Sequence, residues 1–155
     1  MAGNDVDFRA VASDIIALLR SASSVEGALE EVVAALKDKL PHYDWVGIYL
    51  LRGEMLELGP YRGEPSPHNR IPLGRGICGA AASAKETIVV PDVNADPRYL
   101  ACSLKTRSEI VVPIMHQGTC FGEIDIDSHT PDAFSLQDRI IVESIAGELA
   151  KRLAE

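Results

Sequence analysis

Two pairs of strand-like segments, each joined by a short polar turn, place the strongest limit on how this chain can fold. The segments are rich in β-branched and aromatic residues, and the turns are Arg52-Gly53-Glu54 and Gln117-Gly118. Connections this short join antiparallel neighbours, so the pattern predicts two β-hairpins in an antiparallel sheet. The strands of these hairpins are predicted over residues 45–51, 55–58, 109–115 and 119–128, and a further short strand is predicted over residues 87–90.

Helical periodicity marks the first forty residues. Apolar residues recur at helical spacing from Asp5 to Leu40, and a break of small residues divides the segment into two predicted helices. Ser23 with Glu26 has the spacing of a capping box for the second helix, which Pro41 ends.

The C-terminal segment has the same periodicity. Ser135 with Asp138 predicts the cap of a final helix, and Ile141, Ile145 and Leu149 form its apolar stripe. Together with the hairpins, these helices indicate an α+β fold with the terminal helices on one face of the sheet. Neither a repeat nor a linker interrupts the sequence, so we expect a single domain over residues 1–155.

Composition excludes several classes of function. The net charge is −8, and lysine and arginine do not cluster with aromatic residues, which argues against nucleic-acid binding. No apolar run approaches the roughly 20 residues of a membrane helix, and the N-terminus lacks the pattern of a secretory signal. We therefore expect a cytoplasmic protein that does not bind membranes.

The three cysteines do not have the spacing of a disulfide framework or of a structural zinc site, so no metal is expected. Cys78 lies in the first turn of a short helix predicted over residues 76–84, where backbone N–H groups lower a thiol pKa. The alternative is a thiol packed as a small apolar group. Cys102 follows in a loop and is either a reactive thiol or an incidental one. Cys120, at the start of the last strand, is expected to pack in the core or at the sheet edge.

Carboxylates alternate with isoleucines in the last strand. Side chains alternate across a strand, so Asp125 and Asp127 share one face, and Ile124 and Ile126 share the other. Glu109 begins the partner strand and can lie on the acidic side. Three carboxylates around one cavity form a receptor for an ammonium group, whereas the alternative is a solvated polar face.

Two aromatic residues lie on one face of the first predicted strand. Trp45 and Tyr49 are separated by an even number of residues, so their side chains point the same way. They wall the acidic cavity in one interpretation and are ordinary core aromatics in the other.

Five motifs together resemble the free methionine-R-sulfoxide reductases, a family built on the GAF fold. The motifs are Trp45-Val-Gly-Ile-Tyr, Arg70-Ile-Pro-Leu-Gly-Arg-Gly-Ile-Cys-Gly, Ala101-Cys102, Ser108-Glu-Ile-Val-Val-Pro and Asp125-Ile-Asp-Ser. The resemblance runs from about residue 44 to residue 134. It implies a central antiparallel GAF sheet with the N- and C-terminal helices on one face and a loop-covered pocket on the other.

The resemblance also implies an enzyme that reduces free methionine-(R)-sulfoxide to methionine. Cys102 would attack the sulfoxide sulfur and become a sulfenic acid, Cys78 would resolve it as a disulfide, and thioredoxin would reduce that disulfide. No cofactor is implied, and the enzyme is expected to be a homodimer. The expected substrate-binding residues are Trp45, Tyr49, Glu109, Asp125 and Asp127.

Two positions depart from the family pattern. His68 stands where most members have a further resolving cysteine, and Ser103 stands where an aspartate is common. These departures leave open a non-catalytic GAF domain that only binds a ligand. They also leave open a redox sensor that switches through a Cys78–Cys102 disulfide.

Overall fold

An antiparallel sheet with helices on both faces is the framework of the fold. The computed structural model describes residues 6–100 and 103–155, and in these residues the sheet has six strands in the order β3-β2-β1-β6-β5-β4. The strands are β1 (Trp45–Arg52), β2 (Met55–Arg62), β3 (Arg70–Pro72), β4 (Ile88–Val90), β5 (Ser108–His116) and β6 (Thr119–Ser128). The α-helices are α1 (Phe8–Ser21), α2 (Val25–Lys39), α3 (Gly76–Ala84) and α4 (Leu136–Ala154).

Both predicted hairpins are present. β1 pairs with β2, and β5 pairs with β6 from Ser108 opposite Ser128 to His116 opposite Thr119. β6 also pairs with β1, so β6 is a central strand with neighbours on both sides. This position surrounds the side chains of β6 with those of two other strands.

One strand was not predicted, and one predicted helix cap was wrong. The sequence did not indicate β3, because three residues that end in a proline carry too short a pattern to recognise as an edge strand. The N-cap of α2 is Ser24 and not Ser23: its hydroxyl accepts a hydrogen bond from the backbone N–H of Gly27 at 2.9 Å. The chain therefore enters α2 one residue later than the capping-box spacing implied.

The terminal helices cover one face of the sheet, as predicted. Ile124 and Ile126 are fully buried in a core that includes residues of α1, α2 and α4. Burial of each such side chain contributes roughly 1.5–3 kcal/mol. The helix α3 covers the opposite face, and its buried residues join a second core with Trp45 and Tyr49. The acidic residues of β6 point toward this second face.

The predicted cap of α4 is also present. Ser135 and Asp138 form a reciprocal capping box, and Asp138 in addition accepts a hydrogen bond from the Tyr43 hydroxyl at 2.7 Å. His42 Nε2 lies 2.7 Å from the same carboxylate. These contacts fix the start of α4 against the segment that leads into β1.

In the described part of the chain, none of the helices has the length and apolar character needed to cross a bilayer.

Candidate functional site

Strand register assembles the acidic side chains on one face of the sheet. Glu109 of β5 lies opposite Asp127 of β6, and Asp127 lies opposite Trp45 of β1. The next residue of this face on β6 is Asp125, which lies opposite Gly47 of β1. All three carboxyl groups are buried, with at most 5% of each residue exposed. The structure therefore brings together the acidic residues that the alternating pattern selected, and they do not form a solvated face.

Gly47 makes room for the aromatic wall of the site. A Cβ atom at this position would lie 2.3 Å from Cη2 of Trp45, so only a glycine allows the indole ring to lie across the strand. The ring also stacks on Tyr61 at a centroid distance of 5.8 Å. Sequence reasoning quoted Gly47 in a motif but did not find this role, because it depends on where a neighbouring ring packs.

Trp45 and Tyr49 attach the loop between β2 and β3 to the sheet. The indole N–H of Trp45 donates to the carbonyl oxygen of Glu64, and the hydroxyl of Tyr49 donates to that of His68, each at 2.8 Å. Both aromatic residues are almost fully buried. They wall the cavity and also hold in place the segment that carries His68.

Glu123 is an acidic residue of the site that sequence reasoning missed. It precedes Asp125 by two residues on β6 and is 0% exposed. Neither of its carboxyl oxygens has a hydrogen-bond partner from an N–H or O–H group of the described residues. The two-residue period of β6 was the signal that could have found it. Burial and the nearby Asp125 raise the pKa of Glu123 well above its ordinary value.

Cys78 lies directly against the carboxyl cluster. Its thiol donates a hydrogen bond to Asp125 Oδ2 at 3.3 Å, and the residue is 6% exposed. Burial raises the pKa of Cys78 well above its ordinary value, and the charges of Asp125, Glu123 and Glu109 raise it further. The prediction that the start of α3 lowers this pKa was wrong, because desolvation and three carboxyl groups outweigh the backbone N–H groups of the helix.

The carboxyl groups share protons. Glu109 forms hydrogen bonds with both Asp125 and Asp127, and two carboxyl groups can pair in this way only around a proton. Burial, followed by the charge of Asp125, raises the pKa of Asp127 well above its ordinary value. Burial also raises the pKa of Asp125, against the hydrogen bonds from Glu109 and Cys78. A cation that enters the cluster can replace these protons.

Two cavities border the cluster. One is lined by Tyr49, His68, Cys78, Leu100, Glu109 and Asp125, together with residues of β3 and α3. The other is lined by Trp45, Asp127, Thr106 and Ser103, together with residues of the loop after β2. Cys102 lies outside the described residues, but Leu100 and Ser103 on either side of it line these two cavities.

Cys120 takes no part in this arrangement. It is half-buried at the start of β6, and its thiol donates to the carbonyl oxygen of Gly122 at 3.3 Å. Because β6 is a central strand and Cys120 packs partly buried against the second core, the expected packing in the core applies and not the alternative at the sheet edge.

Comparison with known proteins identifies the class of this fold and then the family within it. The GAF domain family model matches residues 24–153, so the chain is a GAF domain protein. GAF domain-containing protein A of Dictyostelium discoideum is 43% identical over 107 residues, which cover 68% of this chain and 66% of that relative, just under two thirds of it.

Two relatives narrow the assignment. The free methionine-R-sulfoxide reductase of Escherichia coli is 33% identical over 141 residues, which cover 91% of this chain and 85% of that protein. The X-ray structure of the free methionine-R-sulfoxide reductase from Neisseria meningitidis in complex with its substrate matches with a TM-score of 0.89 and 36% identity, over 95% of this chain and 88% of that one. The chain belongs to the free methionine-R-sulfoxide reductase family, which confirms the resemblance found in the sequence.

Proposed function

We propose that this chain reduces free methionine-(R)-sulfoxide to methionine, with Cys102 as the nucleophile and Cys78 as the resolving thiol. The family to which the chain belongs supports the reaction. The observation that carries the assignment on this chain is the buried cluster of Glu109, Asp125 and Asp127 beside the Cys78 thiol. This cluster joins a receptor for an ammonium group to a redox-active group.

The acidic cluster supports a substrate that is a free amino acid. An ammonium group offers three N–H donors, and the cluster offers carboxyl oxygens that otherwise share protons. Asp127 Oδ1 is buried and has no hydrogen-bond partner among the described residues, so a bound ammonium group would satisfy it. A methionine sulfoxide within a peptide lacks this ammonium group and would leave the carboxyl groups without their cation.

The proposed chemistry balances in two steps. The Cys102 sulfur attacks the sulfoxide sulfur, the S–O bond of the substrate breaks, and methionine leaves with Cys102 oxidised by two electrons to a sulfenic acid. Cys78 then attacks Cys102, which forms an S–S bond and releases water. Asp125, which accepts the hydrogen bond from Cys78, is placed to take the thiol proton. A protonated carboxyl group of the cluster supplies a proton to the oxygen that leaves the substrate.

An external dithiol must then reduce the disulfide. We propose thioredoxin in this role, and we also propose a homodimer, a cytoplasmic location and a single domain over residues 1–155. Family resemblance supports the first two of these proposals, and the continuous pattern of helices and strands supports the single domain.

The first test follows turnover of free methionine-(R)-sulfoxide with two reductants. Dithiothreitol tests the nucleophile alone, and thioredoxin with thioredoxin reductase and NADPH also tests resolution. Cys102→Ser should abolish turnover with both reductants, and Cys78→Ser should abolish it with thioredoxin only. Cys120→Ser is the matched control and should retain both activities. Methionine binding without any turnover in the unmodified protein would instead support a ligand-binding domain.

A second test examines the ammonium receptor. Glu109→Gln and Asp127→Asn each remove one charge without a change of shape, so KM should rise by about tenfold or more, as the loss of about 1.5–3 kcal/mol for a charged hydrogen bond requires. Peptide-bound methionine sulfoxide should be a poor substrate of the unmodified protein. Equal turnover of the free and the peptide-bound substrate would contradict the assigned receptor.

A further inference from the structure

We propose that Cys78, Glu109 and Asp125 form a binding site for Zn²⁺, and that the metal competes with the substrate ammonium group. One ligand atom from each residue lies within 4.8 Å of those of the other two, and all three residues are buried. Ligand atoms around a tetrahedral zinc ion lie roughly 3.3–3.8 Å apart, given metal–ligand bonds of about 2.0–2.3 Å. Side-chain movements of about 1 Å therefore complete the site.

A second observation points to a cation at this place. Asp125 is 2% exposed and lines the cavity, and its Oδ1 has no hydrogen-bond partner from the N–H and O–H groups of the described residues. Its Oδ2 is occupied by the Cys78 thiol. A buried carboxylate oxygen without a partner is costly, and a metal ion removes that cost.

The donor set selects the metal. A thiolate prefers zinc and other thiophilic ions, whereas Mg²⁺ and Ca²⁺ prefer oxygen ligands. His68 lines the same cavity and places an imidazole, a further zinc-preferring group, near the three ligands. The ligands come from α3, β5 and β6, which is why the sequence contains no zinc-binding spacing.

Zinc binding changes the protonation of the site but not its oxidation state. The S–H bond of Cys78 breaks and a Zn–S bond forms, and this proton and the one shared by Glu109 and Asp125 pass to the buffer. The affinity should therefore increase with pH. The bound metal would occupy the carboxyl groups that hold the ammonium group and the thiol that resolves Cys102. Inhibition of turnover rests on the proposed function, but metal binding does not.

The first experiment measures Zn²⁺ binding by the reduced protein in competition with a chromophoric chelator, without substrate. We expect one Zn²⁺ per chain. Loss of a residue that only hydrogen-bonds to a metal ligand weakens metal binding by roughly tenfold or more. Because Cys78 is itself a ligand, Cys78→Ser should weaken Zn²⁺ binding by at least about tenfold. Cys120→Ser is the matched control and should bind like the unmodified protein, and so should Cys102→Ser. Equal affinity of Cys78→Ser, or loss of binding in Cys102→Ser, would overturn the proposal.

A second experiment needs no variant and so does not depend on the folding of a mutant. Iodoacetamide is added to the reduced protein with Zn²⁺ or Mg²⁺, and the alkylation of each cysteine is followed by mass spectrometry. Zn²⁺ should protect Cys78 more than Cys120, Mg²⁺ should protect neither, and free methionine should weaken the protection. Unprotected Cys78 would overturn the metal site. Protection that methionine does not change, in a protein that turns over free methionine-(R)-sulfoxide, would overturn the competition between the metal and the ammonium group. Turnover in the presence of a chelator tests the proposed function separately.

Discussion

Replacement of Glu123 by methionine should stabilise this protein, and more strongly as pH rises. The residue is 0% exposed and lies on the crowded face of β6. Its carboxyl oxygens have no hydrogen-bond partner from the N–H and O–H groups of the described residues. Methionine has nearly the same length and removes the buried polar group without opening a cavity.

The magnitude has two parts. Loss of a buried carboxyl group that no N–H or O–H group of the described residues satisfies contributes about 1–3 kcal/mol at any pH. The raised pKa of Glu123 adds to this, because the native state holds a proton that the unfolded state releases above its own pKa of about 4.3. That part of the stability is present below about pH 4.3 and is lost by about 1.4 kcal/mol per pH unit as pH rises toward the folded pKa. At about pH 7 this loss of stability, which Glu123→Met would avoid, is at most about 4 kcal/mol.

The assay is urea unfolding of both proteins at about pH 5 and about pH 7.5, and the gain from Glu123→Met should be larger at the higher pH. The midpoint temperature of thermal unfolding, Tm, should rise by about 2–4 °C for each kcal/mol of stability gained. Glu31→Met, at an exposed position of α2, is the matched control and should show no such pH dependence. A destabilised variant, or a gain equal at both pH values, would refute the reasoning.

Three further changes test other parts of the site. Gly47→Ala should displace the Trp45 ring, cost about 1–3 kcal/mol in urea unfolding and raise KM; a KM that does not change would show that the ring position does not matter. His68→Cys places a thiol in the cavity of Cys78 and should increase turnover with thioredoxin but not with dithiothreitol; equal effects on both would contradict a role in resolution. Because the pKa of Asp127 is raised, its contribution to stability is present at low pH and is lost as pH rises through the folded pKa. Asp127→Asn should therefore reduce the loss of stability between about pH 5 and about pH 8 in thermal unfolding, and an unchanged pH profile would contradict this.

Sequence patterns predicted the parts of this molecule that depend on local periodicity. The two hairpins follow from short turns, and the shared face of Asp125 and Asp127 follows from the two-residue period of β6. The cap of α4 follows from the spacing of Ser135 and Asp138. Each of these features depends on residues that are close in the sequence, so it can be predicted without knowledge of the tertiary structure.

Other features depend on side-chain packing that the sequence pattern does not show, or lie outside the motifs of the family. The pKa of Cys78 rises because α3 places the thiol against β6, and nothing within α3 itself indicates those carboxyl groups. Gly47 matters because an indole ring lies across it. Glu123 has the right period but lies outside the motifs that resemble the family, so those motifs do not indicate it. For Cys78 and Gly47 the missing information is where neighbouring side chains pack, whereas the two-residue period of β6 could have indicated Glu123.

The attachment of the β2–β3 loop has a consequence for how this site can change during evolution. Trp45 and Tyr49 hold the loop through the carbonyl oxygens of Glu64 and His68, and those oxygens belong to the main chain whatever side chain the residue carries. A substitution at position 68 therefore leaves the wall of the cavity in place. Thiols for recycling can be gained or lost at this position while the receptor for the substrate is inherited unchanged.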